Sequence, residues 1–269
     1  MISCQNWPIG VCSWSLKNDI EVLKKIMDAS GMSHLHLSLD PTLVENQRSY
    51  LKTIEENQWK VTASMISFPQ EDYSSLESIK KTGGIIPDKF WEQNKKKIIN
   101  AIELTNHLGL KFLTFHLGFI DAANSKLKDR INLIADFADQ KNVMILMETG
   151  QESAEILRQF LEELSHPALA VNFDPANMIL YGKGDPIDAL KKLSPWVKHV
   201  HIKDAQKSEI LGQWGKEVPW GDGDLKNFEF LKTLKLIKYQ GALAIEREAG
   251  SNRIEDIKNA VISLHNFSN

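Results

Sequence analysis

Two cysteines, Cys4 and Cys12, are all that this 269-residue chain contains. They are too few for a disulfide framework, and their spacing makes no CxxC zinc pair. A run of about 18 apolar residues is also missing, so no membrane span is expected. The opening MISCQNWPIG has no basic stretch followed by an apolar one. No signal peptide is therefore expected, and the reducing cytoplasm is the default location. An excess of one charge is absent too: 32 basic residues face 35 acidic ones, for a net of -3. That balance gives no reason to expect nucleic acid as the main partner, because nucleic-acid binders carry a basic stripe. No linker, low-complexity tract or composition break interrupts the chain. One domain spanning residues 1–269 is expected, and 42% hydrophobic residues suffice for a large core.

What the chain does have is alternation. Short apolar runs at Ile9–Trp14, His34–Leu39, Val61–Ile66, Phe112–Leu117, Val143–Glu148, Leu169–Asp174, Val197–Lys203 and Ala242–Glu246 read as strands. Amphipathic segments near Asp19–Ser30, Leu43–Gln58, Asp88–Leu108, Ala122–Gln140, Glu152–Leu164, Pro186–Leu193, Lys226–Lys238 and Ile254–Phe267 read as helices. Asp88 is a candidate cap, and Gly184-Asp185-Pro186 puts proline at a first helical position. Eight βα repeats in strict order predict a closed (β/α)8 TIM barrel. The competing open, doubly wound sheet would carry a Gly-rich turn after its first strand. Here that turn reads Ser15-Leu16-Lys17-Asn18. Two connections are long, Ser67 to Pro87 with a short helix expected around Leu76–Lys81, and Asp204 to Leu225. On a barrel such loops lie over the active-site face.

Strand parity then selects residues. Side chains alternate between two faces, and the helix-facing set must be apolar. Val143, Ile145 and Met147 therefore face the helices, leaving Glu148 inward. By the same rule Asp174 opposes Val171 and Phe173, His201 opposes Val200 and Ile202, and Glu246 opposes Leu243 and Ile245. Four consecutive strands thus deliver Glu148, Asp174, His201 and Glu246 to one rim. Three unpaired carboxylates in a partly buried place repel or take up protons, and a divalent cation removes that cost. Mixed oxygen and nitrogen donors suit one Mn, Mg, Co or Zn ion, and nothing in the sequence separates these.

With those residues in hand, a resemblance emerges. Glu148-Thr149-Gly150, Asn172-Phe173-Asp174-Pro175-Ala176-Asn177, His199-Val200-His201-Ile202-Lys203-Asp204 and Ala244-Ile245-Glu246-Arg247-Glu248 resemble the xylose-isomerase-like TIM-barrel superfamily. More narrowly they resemble its sugar phosphate isomerase/epimerase branch. Trp220-Gly221-Asp222-Gly223-Asp224 is similar to that group's turn before the last helix. The resemblance implies a one-metal site held by Glu148, Asp174, His201 and Glu246. It also implies that Glu148 and Glu246 are the catalytic acid–base pair, moving a proton beside a metal-bound carbonyl by way of an enediolate. Which of the two is the base stays open. The expected activity is a metal-dependent isomerase or epimerase of a sugar, polyol or keto-sugar derivative. The alternative is a dehydratase of the inosose or dehydroshikimate type on the same site. An apurinic endonuclease or a non-catalytic sugar-binding barrel ranks lower. The partner expected is a small carbohydrate-like molecule, with no nucleic acid and no membrane; a homo-oligomer stays open. No Gly-rich phosphate cradle is evident, so phosphate in the branch name assigns no substrate.

Other polar residues are candidates for substrate binding: Trp14 as an apolar wall, His116, Asn177 and Lys203. Related ketose epimerases carry a histidine at the place of Asn177, so their specificity does not transfer directly. His199, one pleat below His201, reads as a supporting or satisfied interior residue, and His36 as core. The Lys95-Lys96-Lys97 run reads as a solvated helix face.

Overall fold

The computed structural model describes residues 2–45, 47–121, 124–210 and 212–267. Its eight parallel barrel strands are β1 (Trp7–Cys12), β2 (His34–Ser38), β3 (Lys60–Met65), β4 (Phe112–Phe115), β5 (Met144–Glu148), β6 (Leu169–Phe173), β7 (Val197–Ile202) and β8 (Leu243–Ile245). Each pairs with the next, and β8 pairs with β1 through Leu243↔Ile9, Ala244↔Gly10 and Ile245↔Val11. That last pairing closes the (β/α)8 barrel expected from the alternation. A short strand, Ser3–Cys4, folds back antiparallel on Trp7–Pro8.

The apolar parity class packs between sheet and helices. Ile145, Met147, Val171, Phe173, Val200, Ile202, Leu243 and Ile245 belong to one continuous buried cluster. The opposite parity faces inward and is polar, with Glu148 in register with Asn172, Asn172 with His199, and His201 with Ala244. β5 ends at Glu148 as expected, and the other seven strands end one or two residues earlier than their apolar runs suggest. The rim residues leave the ladder to turn, so His116 and Glu246 each sit one position past a strand end.

Helix boundaries follow local chemistry. Asp19 caps Ile20–Ser30 by accepting the Glu21 and Val22 N–H groups, and Asp185 caps Pro186–Leu193 in the same way. Ser153 caps Ala154–Leu164, so that helix begins after Glu152. The short helix in the first long loop is present as Leu76–Thr82. The segment read as one helix from Leu43 to Gln58 is two, Asp40–Leu43 and Arg48–Glu56. Asp88 caps nothing; its carboxylate binds Lys126 and Arg130, and a 3-10 turn at Asp88–Phe90 leads into Trp91–His107. The start predicted at Ala122 lies outside the described residues; the observed helix is Ser125–Gln140, capped by Asn124.

A helix absent from the sequence expectation, Pro175–Leu180, follows β6 directly. Asp174 is its cap and Pro175 its first residue, a signal that an eye on strand parity passes over. The second long loop carries a hairpin, Asp204–Gln206 with Lys216–Val218. Among the described residues, no helix is long and apolar enough to cross a membrane.

Candidate metal and substrate site

Glu148, Asp174, His201 and Glu246 converge at the C-terminal ends of β5 to β8. One ligand-type atom from each lies within 4.8 Å of the others, and all four side chains are buried. His201 Nδ1 is central, 3.4 Å from Glu148 Oε1, 3.4 Å from Asp174 Oδ2 and 3.2 Å from Glu246 Oε2. Three carboxylates and one imidazole nitrogen, gathered this closely and away from water, fit a hard or borderline divalent cation.

Each donor is positioned by its neighbours. Asp174 divides its labour: Oδ1 accepts the Asn177 N–H at 2.8 Å as a helix cap, which leaves Oδ2 for the cluster. Thr149 ties the ends of β5 and β6, accepting from Asp174 N and donating to Asp174 O. Asn177 Nδ2 donates to Glu148 Oε1 at 3.0 Å. That approach depends on Gly150, at φ +135°, because a Cβ there would sit 2.4 Å from the Asn177 Cβ. Glu246 is held on both oxygens, Oε1 by Trp14 Nε1 at 2.5 Å and Oε2 by Lys203 Nζ at 2.9 Å.

The histidines beneath are ordered as a layer. His36 Nδ1 lies 3.0 Å from His201 Nε2. His199 Nδ1 lies 2.9 Å from Asn172 Oδ1, and its Nε2 lies 2.9 Å from Thr62 Oγ1. Burial pushes both His36 and His199 well below the usual imidazole value, so they are neutral. Neutral His36 can accept from His201 Nε2–H, which turns His201 Nδ1 toward the carboxylates.

Charge in the cluster is strongly coupled. Burial opposes ionisation of Glu246, but Lys203 and His201 outweigh it and hold the carboxyl well below its ordinary range. Burial also opposes a charge on His201, yet Cys12, Glu246 and Glu148 push the imidazole well above its ordinary value. The Cys12 thiol is itself pushed up to about 12, chiefly by burial, so at neutral pH the carboxylates are the operative partners. Burial raises Asp174 against the pull of Lys203.

Above the donors lies a cavity of about 370 Å³. Trp14, His116, Asn177 and Lys203 all line it together with Glu148 and Glu246, so the structure brings together every substrate-binding candidate from the sequence. Trp14 is not in β1, however; it sits in a 3-10 turn, Ser13–Leu16, beyond the strand. Lys203 is buried and binds Glu246 and Glu248. Asp204 accepts the N–H groups of Ala205, Gly221, Gly223 and Leu225, holding the Trp220–Asp224 turn. Lys97 is not solvated; it binds Asp40 and the Ser67 carbonyl. Glu71 and Tyr73, from the loop after β3, and Tyr181 and Trp214 also line it, and sequence reasoning named none of these four. Only the length of the two loops hinted at Glu71, Tyr73 and Trp214.

The family model for xylose isomerase-like TIM barrels matches residues 20–266. The chain belongs to that family. A solved structure described as a xylose isomerase domain protein from Planctomyces limnophilus superposes with a TM-score of 0.89 at 29% identity, covering 97% of each chain. Among curated relatives of this xylose isomerase-like barrel, a 3-dehydroshikimate dehydratase of Bacillus anthracis is 32% identical over 87 residues, 31% of either chain. Inosose dehydratase 1 of Bacillus cereus is 29% identical over 148 residues, 48% of this chain and 49% of that protein. The matches therefore span a third to a half of those relatives.

Proposed function

We propose that this barrel is a divalent-metal-dependent isomerase or epimerase that moves a proton on the carbon beside the carbonyl of a sugar, polyol or keto-sugar derivative. The observation that carries the reading is the cluster of Glu148, Asp174, His201 and Glu246, four buried donors within 4.8 Å at the floor of a substrate-sized cavity. These four would hold the ion. A bound divalent cation supplies Lewis acidity toward a carbonyl and a neighbouring hydroxyl oxygen.

The chain's own residues divide the remaining work. Glu148 is the proton acceptor: Asn177 holds its Oε1, while its Oε2 lies 3.7 Å from His116 Nε2 on the cavity side. Glu246, held ionised by Trp14 and Lys203, faces the substrate from β8, three strands away around the barrel. Delivery of that proton by Glu148 to the former carbonyl carbon gives isomerisation; a proton placed on the original carbon from the Glu246 side, drawn by Glu246 from the Lys203 ammonium bonded to its Oε2, inverts the centre. Trp14, Tyr181 and Trp214 wall the cavity and exclude water.

Metal-loaded protein incubated in deuterated water with keto-sugars and inososes tests this. Deuterium enters one carbon of a responsive compound, and Glu148→Gln stops it. Full exchange by metal-free protein or by Glu148→Gln would sink the reading. The curated relatives favour a second outcome, loss of water after the same proton abstraction. Product mass separates the two, because elimination removes one water and isomerisation removes none.

A further inference from the structure

We infer that the cavity takes an uncharged keto-polyol of single-ring size and turns away phosphate esters and carboxylate-bearing keto acids. The inference rests on the proposed reading only for the keto group; the selection by charge stands on the lining itself. The lining includes four glutamates, Glu71, Glu148, Glu246 and Glu248, against one lysine, Lys203. That lysine is engaged, 2.9 Å from Glu246 and 3.0 Å from Glu248, with Asp174 at 3.7 Å.

Cations around the rim are engaged too. Arg247 binds Glu217 at 2.6 Å and Asp256 at 2.8 Å, and Lys97 binds Asp40 at 2.7 Å. With Asp174 beneath, five carboxyl groups surround one ammonium that is already engaged, a donor set that offers an anion no partner. An incoming phosphate or carboxylate therefore meets carboxyl groups and, among the described lining residues, no unengaged Arg or Lys, where recognition of either group calls for one. Hydroxyl groups suit the same surface, because carboxylates accept their hydrogens and the faces of Trp14, Tyr181 and Trp214 offer apolar area to ring carbons. A volume of about 370 Å³ sits at the small end of ligand pockets, room for one ring.

The test uses metal-loaded protein and a panel of neutral ketohexoses and keto-inositols, set beside their phosphate esters and cyclic keto acids. Binding is read by ligand-observed NMR, and proton exchange is read separately in deuterated water. The expected result is binding of at least one neutral member, with anionic counterparts at least about tenfold weaker. An anion that binds as tightly as its neutral counterpart, or a panel in which no neutral member binds, overturns the inference. Glu248→Gln, which removes one partner of Lys203, is expected to raise the anion-to-neutral affinity ratio about tenfold. A folded Glu248→Gln protein with an unchanged ratio also overturns it. Neutral binding without any exchange sinks the proposed proton chemistry and leaves the charge selection intact; exchange on a phosphate ester does the reverse.

Discussion

Below the four donors, His36 and His199 are fully enclosed, and both nitrogens of each ring have a partner: His201 and the Ser64 carbonyl for one, Asn172 and Thr62 for the other. Above the donors, His116 is partly exposed, its Nε2 stands 3.7 Å from Glu148, and its Nδ1 has no partner among the described residues. Trp214 Nε1, in the cavity wall, is likewise without one. These two histidines are neutral and satisfied, so their task is to aim His201. The mouth is charged and has polar atoms to spare, so that is where a ligand completes the structure. The same residue type serves both regions, and what separates the roles is whether the hydrogen bonds close within the protein.

Four substitutions would break or sharpen this contrast. At the mouth, Glu148→Gln is expected to slow deuterium exchange by roughly 10²–10⁴, the scale of general base catalysis, with the melting temperature little changed. An exchange rate within a factor of a few of the wild type would contradict the assignment. On the floor, His36→Ala is expected to weaken metal binding about 10–100-fold, measured by chelator competition, because His201 loses the acceptor that orients it. Unaltered metal affinity in a folded His36→Ala protein would show that the floor is mere packing.

Between the two, Gly150→Ala is expected to destabilise the fold by about 1–3 kcal/mol in urea titration, through the strained φ and the displaced Asn177. A neutral result would mean that Asn177 moves freely and does not fix Glu148.

The smallest effect concerns Glu152, buried beside the mouth, whose carboxyl burial pushes up from 4.5 to about 8 despite Lys183. The folded protein holds that proton where the unfolded chain has lost it. Stability therefore falls as pH rises from 4.5 toward 8. Glu152→Gln should gain melting temperature at pH 8 and almost none at pH 4.5. An equal change at both values would remove the burial account.

Much of the site was legible because strands repeat every two residues. Alternation alone put Glu148, Asp174, His201 and Glu246 on one face and one rim, and the structure gathers them. Parity also set His36 and His199 inside, although it could not show that His36 touches His201. Glu71, Tyr73 and Trp214 were illegible for a physical reason: they lie in long loops, where no period links sequence to direction. Helix breaks went unread where side chains are claimed from afar, as Asp40 is by Ser67 and Lys97, and Asp88 by Arg130 and Lys126.

The hydrogen bond from Trp14 to Glu246 joins residues 232 positions apart, across the seam where β8 meets β1. Contacts of such sequence separation form late, because the loop they close must first give up its entropy. The Glu246 end of the site therefore depends on closure of the whole barrel. A chain still emerging from the ribosome carries Trp14, Glu148, Asp174 and His201 before it carries Glu246, so the indole waits for the carboxylate it fixes. On the proposed metal reading, capture of an ion by all four donors would report completed closure.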